Sequence, residues 1–516
     1  MKIKKLLLPA VVAAAALSVG MGGAAPAAAK TLKMAYDADP VSLDPHEQLS
    51  GGTLQLSHMV YDPLVRWKKS GGFEARLAEK WETVDETTTR FHLRKGVKFH
   101  SGNDFTAKDV VFTINRLKIS PDFKGLFDPF VGATAIDSHT VDLITKKPYG
   151  LVMAMATYLF PMDSGFYGNS DQVKKHGDTF ASKNVSGTGP FKVMAREQGV
   201  RVDFDRFADY WDKGSSGNVS KIILTPIKES PTRVAALLSG DIDFIAPVPP
   251  ADLDRVRKNA NTELVTMSGG RIITFQMNQN RVEAFKDVRV RQAIVHAINN
   301  TGIVKKVMKG FATAAGQQSP KGYAGYNSSL SPRYDVKKAK ALLKEAGYGK
   351  GLSITMMAPN NRYVNDAKIA EAVAGMLAKV GIKVDLKTMP KAQYWPKFDE
   401  RAADMMMIGW HSDTEDSANF SEFLTMTPNK ETGMGQYNGG NYSSKMVDDL
   451  VVKANETTDV AKRNGMLQKV EKILYDDAAF VPLHWQNHSW AVRKGIDIEP
   501  VVNVQNFPYL GDLVVK

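Results

Sequence analysis

Few residue constellations in this chain could do chemistry, and most of those point away from catalysis. The sequence holds no Walker-type phosphate loop, no His-Glu-x-x-His pair and no Gly-x-Ser-x-Gly nucleophile turn. Ser186-Gly187-Thr188-Gly189-Pro190 reads as a tight turn leading into a strand over Phe191–Met194. His484 and His488 are four apart and on a helix would share a face as metal ligands, but Pro482, Trp485 and Trp490 favour an extended strand there, so no metal site is expected. Met405-Met406-Met407 before Ile408 is read as a buried strand and not as a soft-metal site. Tyr394, Trp395, Trp410, Trp485 and Trp490 fall near predicted strand ends. Such rings could line an apolar cleft or fill the core, and spacing alone does not choose.

The elements that would position these residues follow a repeated order of helix, glycine, strand. A helix over Thr232–Ser239 stops at Gly240 before the alternating Ile242 and Phe244, and a helix over Ala367–Val380 stops at Gly381 before Ile382, Val384 and Leu386. Glycine suits these stops because it takes the left-handed conformation without a Cβ clash. Thr106 and Asp109 form a capping box ahead of the buried stripe Val110, Val111, Ile114 and Leu117. The alternation of Phe91 and Leu93, then Val97 and Phe99, around Lys95-Gly96 predicts two strands joined by a turn. Further helices are expected over Val288–Met308, Val336–Ala346 and Ala461–Leu474, and strands over Thr140–Thr145 and Ala479–Val492, with the tail after Asp497 folding back on the first part of the chain. Alternating helices and strands of this kind mean α/β units with mixed sheets.

Composition narrows the setting. Lys2, Lys4 and Lys5 precede an apolar run from Leu6 to Leu17 and the small residues Ala27-Ala28-Ala29, the pattern of a secretory signal peptide over residues 1–29. The run is shorter than the ~20 residues a membrane span needs. The chain has no cysteine, so it forms no disulfide and no thiolate metal site, and carries no lipid on an amino-terminal cysteine. The expectation is an unanchored protein of the Gram-negative periplasm. Its formal charge of +12 falls to +9 without the three signal lysines, and basic and acidic residues are interspersed. Nucleic-acid binding would need a clustered basic face and is not expected. The remaining 487 or so residues exceed one core, so at least two lobes are expected.

Longer strings supply a resemblance. Ser42-Leu43-Asp44-Pro45, Tyr61-Asp62-Pro63-Leu64-Val65, the block Phe91 to Gly102 followed by Phe105 to Phe112 and Arg116, then Gly187 to Phe191, Tyr210-Trp211, Leu237 to Asp243, Phe275 to Asn278, Asp287 to Ala293, Ala339 to Tyr348 and Val481-Pro482-Leu483 occur in order. In these the chain resembles the large extracellular solute-binding proteins of the dipeptide, oligopeptide and nickel type that serve ABC importers. The resemblance implies an α/β fold of two lobes with mixed sheets and hinge strands, and an extra domain inserted in the first lobe. By matching position the first lobe would be 30–60, 218–280 and 490–516, the inserted domain 61–217 and the second lobe 281–489. Thr274–Asn278 and Trp485–Trp490 would be the hinge crossings.

The resemblance also implies a site. Dipeptide-binding relatives hold the ligand amino group with an aspartate shortly after Gly-Trp, and Gly409-Trp410-His411-Ser412-Asp413 makes Asp413 the first candidate, with Asp416 able to do either that or a capping job. An upstream arginine holds the ligand carboxylate in those relatives. Arg362 occupies that loop, with Lys368 as a competing match. Trp410, Gly409, Trp395, Met277, Asn278 and Trp485 complete the expected cleft. The expected function is capture of a di- or oligopeptide by hinge closure and delivery to an inner-membrane ABC permease, by a monomer that is not an enzyme and uses no cofactor. Alternatives are a nickel chelate, an opine or an oligosaccharide in the same role, an exported hydrolase, or a chaperone-like protein binding unfolded chains.

Overall fold

The computed structural model describes residues 30–40, 42–68, 72–168, 173–174, 179–457 and 459–516. The expected secretory segment, residues 1–29, lies outside the described residues. Among the described residues no helix is long and apolar enough to cross a membrane.

Two long strands, Thr262–Met277 and Val481–Arg493, pair antiparallel at the centre of an eleven-stranded mixed sheet. On one side Met405–Trp410 pairs with Thr262–Met277, and Leu352–Pro359 and Ile382–Met389 follow in parallel. On the other, Phe244–Ala246 pairs with Val481–Arg493, followed by Lys30–Tyr36 and Val219–Leu224. One sheet therefore runs through both lobes, and the two central strands are its only shared members among the described residues. A separate antiparallel sheet of Ala78–Asp85, Thr88–Leu93, Thr140–Thr145 and Phe130–Asp137 carries the helix Ala107–Ile119.

The punctuation of the chain behaves as its residue types dictate. Gly240 and Gly381 both take φ of +89°, ending the helices Ser230–Ser239 and Asp366–Ala378. The Thr106 and Asp109 capping box is present, and Val110, Ile114 and Leu117 are buried while Val111 is half-buried. The Met405–Ile408 run is a fully buried strand, and the C-terminal Leu510 and Leu513 pack into the same core as Leu32 and Met34. Gly187 and Gly189 sit directly against the backbone of Val60, where a Cβ on Gly187 would stand 2.1 Å from the Val60 carbonyl oxygen. That close approach, and not a catalytic turn, is what the Ser186–Pro190 stretch is for.

Three expectations need correction. Phe91, Leu93, Val97 and Phe99 are all buried, but 97–99 does not pair with 91–93. Thr88–Leu93 pairs with strands on both sides, while Val97 and Phe99 bond to Phe105 and Asn103. The helix expected over Val288–Met308 is two, Val288–Ala297 and Asn300–Lys306, because the Asn299 side chain caps the second by accepting from Gly302 N–H at 2.7 Å. Strands Phe191–Glu197 and Arg201–Arg206, within the segment 61–217, hydrogen-bond onto the sheet of Lys30–Tyr36 and Val219–Leu224. We propose that the first lobe takes in 191–206 and that the strand Thr262–Met277 passes from the first lobe into the second.

The inserted segment is pinned to the first lobe by Arg116, whose Nη2 donates to Asp44 Oδ2 at 2.5 Å with both side chains shut off from solvent. Asp44→Ala would leave that guanidinium buried without its carboxylate. We expect D44A to lose about 3–5 kcal/mol of unfolding free energy, measured by urea denaturation; a loss under about 1 kcal/mol would mean the pair is not what holds the segment.

Candidate functional site

Between the lobes lies a cavity of about 410 Å³, within the roughly 300–1,000 Å³ of small-ligand pockets. The first lobe lends Tyr36, Asp37 and the 48–55 stretch; the second lends 361–364, Lys391, Trp395 and 408–410 with Asp413; the crossing strands lend Arg271 and 486–489. Asp122 and the tail at 505–507 close the rim.

Asp413 is buried at the end of the strand Met405–Trp410, in a loop fixed by its own hydrogen bonds. Asn419 Oδ1 accepts from Trp410 Nε1 at 2.9 Å and from Asp413 N–H at 3.0 Å. Asp416 caps the helix Ser417–Leu424 by accepting from Asn419 N–H, and is paired with Arg463 at 2.8 Å. The two aspartates thus divide the work: Asp416 is structural and Asp413 faces the cavity. Asp413 Oδ1 accepts from Tyr158 Oη at 2.7 Å, a contact that reaches from the inserted segment to the second lobe. Its Oδ2 is buried without a partner. Burial pushes the carboxyl up to about 7, with Tyr158, Asn419 and Arg271 pulling the other way. A ligand ammonium is the group that completes such a carboxylate.

Three cations share the cavity. Arg271 follows the bulge at Gly269-Gly270 in the central strand, where a Cβ on Gly269 would stand 2.3 Å from the Gln486 carbonyl oxygen. The bulge re-aims the strand and sets Arg271 in the cleft wall. Arg362 lies over the Tyr363 ring, its centre 4.9 Å from the ring centroid. Lys391 opens the helix Lys391–Asp399, and its N–H donates to Asn361 Oδ1 at 2.7 Å, which sets the two loops side by side. Burial draws Arg271 down to about 10 and Lys391 down to about 8, and Arg362 adds to both shifts.

The structure gathers Asp413, Trp410, Gly409, Arg362 and Trp395 on the cavity wall. Trp410 stacks on Phe423 with centroids 4.5 Å apart, so it is at once core and wall. Met277, Asn278 and Trp485 lie outside the cavity lining: Met277 is fully buried in the second-lobe core, Asn278 accepts from Asn280 and Arg281 N–H, and Trp485 Nε1 donates to the Gln318 carbonyl at 2.8 Å. Lys368 is exposed on its helix, away from the cavity. His484 is sealed in the core, whereas His488 lines the cavity with His411. Nε2 of each cavity imidazole lies 3.1 Å from the Val504 carbonyl oxygen, His411 Nδ1 lies 2.9 Å from that of Ser412, and burial draws both rings below the usual histidine range. Among the described residues no three metal-binding groups converge. Arg271, Lys391 and Tyr158 were absent from the expected site, since each is a single residue with no motif around it.

Comparison with known proteins gives consistent matches. The model of the bacterial extracellular solute-binding proteins, family 5 Middle, matches residues 72–431. The chain is 30% identical over 510 residues to a dipeptide-binding protein of Escherichia coli K12, covering 93% of each. Its fold superposes with a TM-score of 0.84 on the Helicobacter pylori periplasmic binding protein DppA in complex with the peptide STSA, at 26% identity, covering 94% of this chain and 98% of that one. It matches equally, at 0.84 and 25% identity over 94% and 99%, the A. tumefaciens R10 protein AgaA in complex with agropinic acid.

The raised Asp413 has a consequence for pH. Below about 7 its carboxyl gains a proton and loses the charge an ammonium needs. Affinity for an amine-bearing ligand is expected to fall toward about tenfold per pH unit below pH 6, measured by calorimetry from pH 5 to 8. Asp413→Asn should bind weakly with a flat profile; an unchanged slope in D413N would assign the dependence elsewhere.

Proposed function

We infer the role of the cleft from one premise: this chain belongs to the bacterial extracellular solute-binding proteins of family 5. It is a solute-binding protein of ABC transport and, like its family, not an enzyme. We propose that its solute is a short peptide with a free amino terminus, taken up in the periplasm and handed to an inner-membrane permease. The observation that carries this reading is Asp413, buried at the cavity wall with Oδ2 unanswered and Oδ1 held by Tyr158 from across the cleft. An ammonium there would be held by a charge-assisted hydrogen bond in a water-poor site.

The contact between Tyr158 and Asp413 also supports a mechanism. Tyr158 lies in the inserted segment and Asp413 in the second lobe, so parting of the lobes would break this contact, and a ligand that prefers the completed site would favour the closed state, which the permease would recognise. The E. coli relative is named for dipeptides and the H. pylori structure holds a tetrapeptide, which is in keeping with this ligand class. A second reading, a non-peptide solute, has the agropinic acid complex of the A. tumefaciens protein in its favour.

A thermal-shift panel of peptides, sugars, opines and nickel chelates separates the readings. Free-amino dipeptides are expected to raise the melting temperature; if another class does so and no peptide does, the peptide reading fails. Asp413→Ala is expected to weaken free-amino peptides by about 30-fold or more and their N-acetylated forms by less than about threefold. Equal losses for both would remove Asp413 from its assigned role.

A further inference from the structure

The cleft holds cationic side chains that make no ion pair among the described residues. Arg271, Arg362 and Lys391 line one cavity, and among the described residues none of the three side chains has an ion-pair or hydrogen-bond partner. They share one field, because Arg362 acts on both Arg271 and Lys391. Clustered cations in a half-buried wall repel one another and lose hydration, a cost that an arriving anion removes.

Several carboxylates nearby are engaged with other partners. Asp39 is paired with Arg196 at 3.2 Å. Asp122 accepts from Leu49 N–H and Gln436 Nε2. Asp366 accepts from the backbone N–H groups of Arg362, Tyr363 and Ala367. Asp413 faces the ligand ammonium in the reading above. The carboxylates of Asp37 and Asp122 line the same cavity, but among the described residues neither makes an ion pair with Arg271, Arg362 or Lys391. The helix Gly51–Val60 adds to the same side. Its N-terminus borders the cavity with no side-chain cap and no acidic residue in its first turn, and Arg271 Nη2 lies 3.6 Å from where a Gly51 Cβ would be.

We propose that this cleft selects solutes carrying one ammonium and two carboxylates, so that among peptides it prefers those with an acidic side chain. The proposal rests on the ammonium being held at Asp413. One carboxylate is the ligand's terminal group and the second is the side-chain group that the Arg362–Lys391 corner and Arg271 attract. Neutral isosteres lose that second contact while keeping their shape.

Titration calorimetry with Ala-Glu and its isostere Ala-Gln tests this. Ala-Glu is expected to bind about tenfold tighter or more, and Lys391→Met to shrink that ratio to under about threefold. Equal affinities, or a preference for Ala-Gln, would overturn the proposal, as would a ratio untouched in a folded K391M; if K391M does not fold, the wild-type ratio decides alone. Should neither dipeptide bind, free glutamate against glutamine separates the two ideas. Preference for glutamate would keep the dicarboxylate selection while the peptide reading falls, and absence of any preference or binding would end it.

Discussion

A carboxylate buried with one oxygen satisfied and the other unpartnered is a costly arrangement, and the cleft is organised around it. Asp413 gains one hydrogen bond from Tyr158 and none at Oδ2, and burial has already pushed its carboxyl up to about 7. Its loop is nonetheless rigid, held by Asn419 from one side and by the Asp416–Arg463 pair from the other. A group that is both strained by desolvation and locked in place cannot relieve itself by moving. Its relief has to come from what enters the cavity, which is how a binding site stores its affinity.

In the proposed mechanism the lobes part without losing the site. The continuous sheet suits this, since Thr262–Met277 and Val481–Arg493 carry hydrogen bonds into both lobes and cross between them at the Gly269-Gly270 bulge. Contacts elsewhere between the inserted segment and the second lobe include the exposed Lys147–Glu456 ion pair, the Gln436 hydrogen bond to Asp122 and apolar packing of Gly125 against the Phe423 ring. The inserted segment moves with the first lobe because the buried Asp44–Arg116 pair ties them. Tyr158, which belongs to that segment, then links it directly to Asp413.

How much of this the chain betrays in advance depends on range. Local devices were legible: the glycine stops at Gly240 and Gly381, the Thr106–Asp109 box and the buried Met405–Ile408 strand each follow from neighbours within a few residues. Pairings were not. Val97 and Phe99 alternate as a strand would, but their partners lie at 103–105, and strands 191–206 join a sheet whose other members are far off in the chain. The site divides in the same way. Asp413, Trp410, Gly409 and Arg362 stood out through the family resemblance, whereas Arg271, Lys391 and Tyr158 acquire meaning only when the fold places them around one cavity. Trp485 looked like a cleft aromatic and is a core one, because its indole N–H finds the Gln318 carbonyl inside the second lobe.

The central claim is that Asp413 Oδ2 is the seat of a solute ammonium in a closed cleft. A crystal structure with Ala-Glu bound tests it most directly. The account predicts the ligand enclosed between the lobes, its amino nitrogen about 3 Å from Asp413 Oδ2, with Tyr158 Oη still donating to Oδ1. A ligand amino group placed elsewhere, with Oδ2 still unpartnered or bonded only to water, would contradict it.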